Sequence, residues 1–300
     1  MTKTLRFKIV DALYLLGVIL PFLAAIVLKV ITYPASEGIN VTGALVFFTL
    51  PLPFGGLPVT ETQVNSVAVL LAVFFLCLYI THGLDPKGGT KRQLVAELIV
   101  TKTRELVLGN MGERFAGFVP FVAAIMALSA FSSLSSLIGL HPPTSDINVT
   151  AGWAIFVFIL ITYYKLKGGV GNYLKGYTEP IPLFTPLNVI GELATPVSMA
   201  FRHYGNVLSG VAIAALISAA LQGLSRMLLG WLPGFLGEIP FLQIGLPAVL
   251  SLYFDLFSSI LQAFIFAMLT MLYIANGFPE EQYLARLEKK RAKREAKASK

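Results

Sequence analysis

Charge is what this sequence has least of. Asp, Glu, Lys and Arg together make up 13% of its 300 residues, against roughly 25% in soluble domains. That deficit excludes an ordinary water-soluble fold and points to lipid as the solvent. Cysteine is nearly absent too. Cys77 is the single one and lies in an apolar run, which excludes an intrachain disulfide or a thiolate metal cluster and leaves a small lipid- or core-facing residue. Three histidines, His82, His141 and His203, are widely separated, and neither H-E-x-x-H nor G-x-x-x-x-G-K-[ST] occurs. Zinc-protease chemistry and P-loop nucleotide binding therefore find no support. Internal repeats are missing as well, and with them the usual sign of an inverted-repeat transporter.

What is present is apolar sequence: 56% of residues are hydrophobic and mean hydropathy is +0.75. Several runs approach the roughly 20 residues a spanning helix needs. They are continuous rather than alternating, which argues for helices and against a membrane barrel. Six spans are expected, at Ile9–Ile31, Val64–Ile80, Phe115–Leu140, Val149–Tyr164, Leu187–Leu221 and Phe241–Asn276. The last two exceed what a bilayer requires and are expected to be tilted or partly interfacial.

Basic residues set the orientation. Lys3, Arg6 and Lys8 precede the first span, and Pro34–Gln63 carries no Lys or Arg. Lys87, Lys91, Arg92, Lys102, Arg104 and Arg114 follow the second span, His141–Asn148 has none, and Lys165, Lys167 and Lys175 follow the fourth. One arginine lies in Gln222–Pro240, and Glu280–Lys300 holds eight Lys/Arg against four Glu, +4 of the total +7. Both termini are thus expected inside, with the tail a solvated helix near anionic headgroups rather than a nucleic-acid binder. A signal peptide is the alternative reading of the N-terminus; the length of the run and the lack of a small-x-small site favour a retained span. Lys91–Asn110 reads as an amphipathic helix on the inner face, and the Pro/Gly-rich Pro34–Thr60 as a segment folded against the outer surface. Three regions follow: 1–114, the last four spans at 115–278, and a basic tail at 279–300.

The stretch AFRHYGNVLSG (Ala200–Gly210) sits inside the fifth span. An ionised residue at that depth costs about 2.5–3.5 kcal/mol on insertion scales, so it persists only if paired, wetted or used. At helical spacing Arg202, Asn206 and Ser209 share one face, continued backwards by Ser198 and Thr195. His203 points about 100° away from Arg202. Gly205 and Gly210 remove bulk beside the stripe and are expected to let another helix approach. In the sixth span Asp255, Ser258 or Ser259, and Gln262 recur on one side. Asp255 either forms a salt bridge to Arg202 or lines a wetted ion path beside it. An arginine keeps its proton at physiological pH, so it cannot relay protons but can repel cations and attract carboxylates.

These residues resemble a known family. PVSMAFRHYGN (Pro196–Asn206), LQAFIFAMLTMLYI (Leu261–Ile274), DINVT (Asp146–Thr150) and PLNVIGELATP (Pro186–Pro196) are similar, in the same order, to motifs of subunit a of F-type ATP synthases. The resemblance implies an all-α integral membrane protein of about six transmembrane helices, the last two long and tilted against a proteolipid ring. It implies a stator ion channel, not catalytic alone, whose two half-channels carry H⁺ or Na⁺ to ring carboxylates. Arg202 would face those carboxylates; Asn206, Gln262, Glu192, Ser209, Asp146 and His203 would accompany it. The family often has a glutamate where Val211 stands and a histidine where Asp255 stands, so Asp255 is expected to supply the missing outer carboxylate. Implied partners are the ring of c subunits, peripheral-stalk b subunits, the F1 sector indirectly and anionic lipid, with no cofactor, metal or nucleic acid. The implied location is a bacterial plasma membrane. A secondary cation transporter using Asp255 and Glu192 is the rival reading.

Overall fold

The computed structural model describes residues 3–32, 44–51, 55–85, 88–179, 181–232, 240–243, 245, 249–250 and 252–298. Parts of the outer segment (34–43 and 52–54), Lys87, residues 233–239 of the fifth-to-sixth connection and the tail's 299–300 lie outside them. Helices dominate, in the order α1 (Lys3–Thr32), α2 (Glu61–Thr81), α3 (Lys91–Met111), α4 (Val119–Leu134), α5 (Ile147–Leu166), α6 (Val170–Thr178), α7 (Thr185–Leu229), α8 (Ser258–Gly277) and α9 (Glu280–Ala298). Six helical stretches are long and apolar enough to cross a membrane: Phe7–Thr32, Glu61–Thr81, Glu113–Ile138, Ile147–Leu166, Pro182–Leu229 and Leu252–Gly277. The chain is an all-α, multi-pass membrane protein, and each expected span has its helix.

The described part of the segment between the first two spans is not merely a loop. Val46–Leu50 (β1) pairs antiparallel with Leu57–Thr60 (β2), with an irregularity between Val46 and Phe48. The run Val-Phe-Phe-Thr-Leu consists mostly of β-branched and aromatic residues, which suit a pleated pair. The hairpin delivers Thr60 as a helix cap: Gln63 N donates to Thr60 Oγ1 and Thr60 N donates to Gln63 Oε1. This reciprocal pair satisfies two amide donors and starts α2.

α1 lies along α2 and is fastened at both ends. Gly17 sits against the Phe75 ring so closely that a methyl group there would overlap it. At one end Asp11 Oδ1 lies 2.8 Å from His82 Nδ1 and 2.9 Å from Arg92 Nη1. At the other, Lys29 Nζ is 3.0 Å from Glu61 Oε1 and donates to the Gly139 carbonyl. α3 is helical as expected, but it buries Gln93, Thr103, Val107 and Met111 and leaves Leu94, Leu98 and Ile99 exposed. Gln93 donates to Asp85 O and Glu97 Oε1 and accepts from Asp85 N, so this polar side chain is used inside. Cys77 is exposed, the lipid-facing alternative.

α4, α5, α7 and α8 converge on a core that includes Val122, Val157, Ile161, Met199, Phe266 and Met271. Lipid tails are as apolar as these side chains, so close packing rather than escape from water holds them. α7 has 45 residues, about 68 Å at 1.5 Å per residue, more than twice the roughly 30 Å hydrocarbon layer. It lies oblique or runs out of that layer. A π-helical turn, Leu252–Phe257, stands ahead of α8, and Val249 and Leu250 before it are helical too.

Candidate functional site

α7 begins with Pro186 in its first turn, where a missing N–H costs nothing. Pro196 lies inside the helix and cannot donate to the Glu192 carbonyl four residues back. Six residues on, α7 sorts its side chains by face. Met199, Ala200, His203 and Gly210 are buried, whereas Ser198, Arg202 and Ser209 are exposed. Arg202 therefore points away from the chain's own core. Among the described residues it has no hydrogen-bond or ion-pair partner, and no salt bridge joins it to Asp255.

The two polar helices do meet, one turn further along. Ser258 Oγ donates to Asn206 Oδ1 at 3.0 Å, tying α7 to the first residue of α8. A Cβ on Gly210 would come within 3.2 Å of Phe254 Cβ, so this glycine does permit close approach. At Gly205 nothing among the described residues lies within 4 Å of the missing Cβ, so no described helix of this chain makes the close approach there. Ser209 Oγ turns back to the Asn206 carbonyl. Gln262 is buried with Ala263 and Phe266 and makes no hydrogen bond to Arg202. Asp255 is half-buried within the π-helical turn. Such a turn bonds i to i+5, so the α-helical phase linking Asp255 to Gln262 does not hold through it.

Glu192 is engaged elsewhere. Lys165 Nζ lies 2.8 Å from its Oε1, Tyr173 Oη donates to Oε1 at 3.1 Å, and Tyr177 Oη donates to Oε2. These groups line a cavity of about 470 Å³ between α5, α6, α7 and the end of α8, with Asn172, Asn188 and Asn276 on its walls. Burial, reinforced by the hydrogen bonds to Glu192 and Tyr173, pushes the Tyr177 hydroxyl well above its ordinary pKa, so it remains a donor. Asp146 caps α5, its Oδ1 accepting from Asn148 N at 2.9 Å. His203 is fully buried, its Nε2 3.3 Å from Ser129 Oγ and its ring edge-on to Trp153 and Phe266.

Against known proteins, a family model described as ATP synthase A chain matches residues 62–275. The chain belongs to the ATP synthase A chain family. It is 33% identical over 223 residues to "ATP synthase subunit a" of Acidothermus cellulolyticus, covering 72% of this chain and 75% of that one. "ATP synthase subunit a" of Legionella pneumophila (Philadelphia 1) is 28% identical over 225 residues, 74% of this chain and 88% of its own length. "ATP synthase subunit a, sodium ion specific" of Propionigenium modestum is 35% identical over 146 residues, 48% of this chain and 43% of that one. By family, the chain is a non-catalytic, ion-translocating membrane subunit whose partners are other ATP synthase subunits. The secondary-transporter reading falls with that result.

The matched stretch contains every candidate residue from Asp146 to Gln262, while α1, the hairpin and α9 lie outside it. Sequence reasoning missed the partners of Glu192. Lys165 was read only as a topology signal, and Tyr173 and Tyr177 were not singled out. Their i, i+4 spacing, which places both hydroxyls on one helix face, was the available signal. The cluster of Lys29, Glu61 and His141 was also missed, since nothing local links residues so far apart.

Proposed function

We propose that Arg202 is the fixed charge separating two half-channels of an ATP synthase stator, facing the carboxylates of a rotating ring of c subunits. The observation that carries this is its outward orientation on α7 without an ionic partner among the described residues. A guanidinium so placed favours ionised carboxylates in front of it and repels cations. An arriving carboxylate gives up its ion there, so ion flow is forced to turn the ring. Asn206, held by Ser258, and Ser209 extend the polar face, with Gln262 behind on α8. The polar cavity around Glu192 serves the inner half-channel and the region of Asp255 the outer one; Asp146 holds the outer end of α5.

Basic residues flank the end bearing α3, α6 and α9, which favours a cytoplasmic position for both termini. The basic α9 suits anionic headgroups or the peripheral-stalk b subunits, and F1 is reached indirectly. Residues 115–278 form the channel domain. Bacterial relatives favour a bacterial plasma membrane. The transported ion is H⁺ or Na⁺, and one relative carries the sodium-specific name. The test is ATP-driven pumping in inverted vesicles bearing Arg202→Ala, with ring and ATPase attachment checked by pull-down. Lost pumping with an intact complex supports the reading; normal pumping refutes it.

A further inference from the structure

Far from Arg202, positive charge gathers where two spans end together. α5 stops at Leu166 and the last span at Gly277. These ends meet: Gly277 lies against Lys165, and the Phe278 ring is 6.2 Å from that of Tyr164. Tyr163, Tyr164 and Tyr283 gather around Phe278, and tyrosine is enriched at the headgroup level of a bilayer. Two glycines bring α9 onto this end. A Cβ on Gly168 would overlap Pro279. Gly169, at φ +112°, leaves room for the Arg286 guanidinium, whose Nη1 donates to the Lys167 carbonyl at 3.2 Å.

Between α9 and the end of α5 lies an open groove of about 750 Å³. Lys167, Arg286, Lys289 and Lys290 line it together with Tyr283 and Leu287, and none of the described residues lining it is acidic. Two features separate this groove from an ordinary solvated helix face. Charge on α9 is sorted by side: Arg286, Lys289 and Lys290 stand at i, i+3 and i+4, while Glu281, Glu288 and Glu295 recur every seven residues. At about 100° per residue the two sets are centred roughly 150° apart. The four cations of the groove also form no ion pair among the described residues, whereas nearby Arg114 takes Glu280 at 2.8 Å. Lys167 is half-buried, its Nζ 4.2 Å from the Tyr164 ring centroid, so its charge is held at the level of the tyrosines.

We propose that this groove binds one anionic phospholipid. Its phosphodiester is held by Arg286, Lys289 and Lys290 of α9 and by Lys167 at the end of α5, with Tyr283 and Leu287 against its glycerol backbone. A guanidinium can grip phosphate through two N–H donors at once, and basic pockets beside spans suit anionic headgroups. A lipid so held ties α9 to the end of α5. The inference rests on the inner-face reading of α9 given above, choosing the headgroup over the stalk, and is independent of the role of Arg202.

The experiment places the whole complex in phosphatidylcholine vesicles holding a trace of phosphatidylglycerol that carries a photoactivatable group and an alkyne tag. After illumination the label on this chain is quantified and located by peptide mass spectrometry. It is expected in residues 163–169 and 280–292. Arg286→Gln should lower it about fivefold and Lys289→Gln/Lys290→Gln about 25-fold. Arg291→Gln removes the same charge from the acidic side of α9 and should leave the label within about twofold, since its side chain does not line the groove. An equal loss in Arg291→Gln means diffuse attraction and overturns the proposal. Excess untagged phosphatidylglycerol should abolish the label. Its loss to inorganic phosphate would assign the groove to a free anion, and its loss to added phosphatidylcholine to bulk lipid; either overturns the site. No label on an intact complex overturns it too, since a partner protein then covers the face. If Arg286→Gln fails to assemble, the lysine pair decides alone. A protease-sensitive tag at the C-terminus separates the two readings. Cleavage in sealed inverted vesicles with the wrong label pattern defeats the lipid site alone. Cleavage only in right-side-out vesicles defeats the inner-face reading, and the site with it.

Discussion

Lys165→Gln should destabilise the chain through Glu192, and the geometry sets the size. The Lys165 Nζ to Glu192 Oε1 distance is 2.8 Å, with 30% of the lysine side chain and 12% of the glutamate exposed. At an effective dielectric of about 20, unit charges so close attract by about 6 kcal/mol. Fully exposed pairs are worth about 0–1 kcal/mol, and breaking a fully buried pair costs about 3–5 kcal/mol. With the lysine about a third in solvent, a loss of about 2 kcal/mol is expected, roughly 30-fold in the folded-to-unfolded ratio. In a chain of this size that lowers the thermal midpoint by about 4–8 °C. The assay is thermal unfolding of the detergent-solubilised chain, followed by the fluorescence of its tryptophans. Trp153 packs on Phe266 and reports loss of the core. The decisive comparison is the double variant Lys165→Gln/Glu192→Gln. Removing both charges leaves no isolated carboxylate, so the double variant should recover at least about 1 kcal/mol relative to Lys165→Gln. A double variant as unstable as the sum of the single ones would refute the argument that Lys165 compensates the charge of Glu192.

Gly210→Ala should be nearly neutral, because a helix-propensity gain of about 1 kcal/mol offsets a Cβ 3.2 Å from Phe254 Cβ. Gly210→Leu should lose about 3 kcal/mol by overpacking; equal thermal midpoints for the two would rule out close approach there. Asp146→Ala should lose about 1 kcal/mol as the α5 cap goes, with Asp146→Ser largely retaining it, read by the same midpoint. His141 has its pKa depressed below 6.5, chiefly by burial and further by Lys29, against an opposing pull from Glu61. The unfolded state thus takes up the proton first, and stability should fall as pH drops through 6.5, levelling off below the folded-state pKa. His141→Gln should flatten that part of the pH profile of the thermal midpoint; an unchanged slope would exclude His141 as its source.

Some of this was legible from residues alone because it depends on local physics. The six spans follow from the cost of charge in lipid. The stripe through Thr195, Ser198, Arg202, Asn206 and Ser209 follows from helical periodicity; of these Ser198, Arg202 and Ser209 are exposed, and Thr195 and Asn206 are half-buried. Other features depend on which helix lies beside which. Periodicity gave Gly205 and Gly210 the same role, but only Gly210 meets a neighbour. The phase relation between Asp255 and Gln262 presumed an unbroken α-helix, and a π-helical turn has no signature a single sequence reveals. His203 was known to diverge from Arg202, yet that it meets Ser129, 74 residues earlier, is a consequence of packing alone.

The charges near the membrane divide in a way that bears on function. Asp11 is held by His82 and Arg92, Lys29 by Glu61, and Lys165 by Glu192. In each case the chain supplies its own counter-charge across helices. Arg202, at mid-span of α7, is exposed without one among the described residues. An arginine left facing lipid at that depth would cost at least about 2.5 kcal/mol. Local repair was within reach, since acidic side chains at i−4 or i+4 lie close enough on a helix to pair with it; those positions are Ser198 and Asn206, both uncharged. Pairing these charges internally while turning Arg202 outward is what the proposed counter-charge on another protein requires. A permanent internal partner would neutralise the guanidinium and remove its hold on whatever carboxylate arrives.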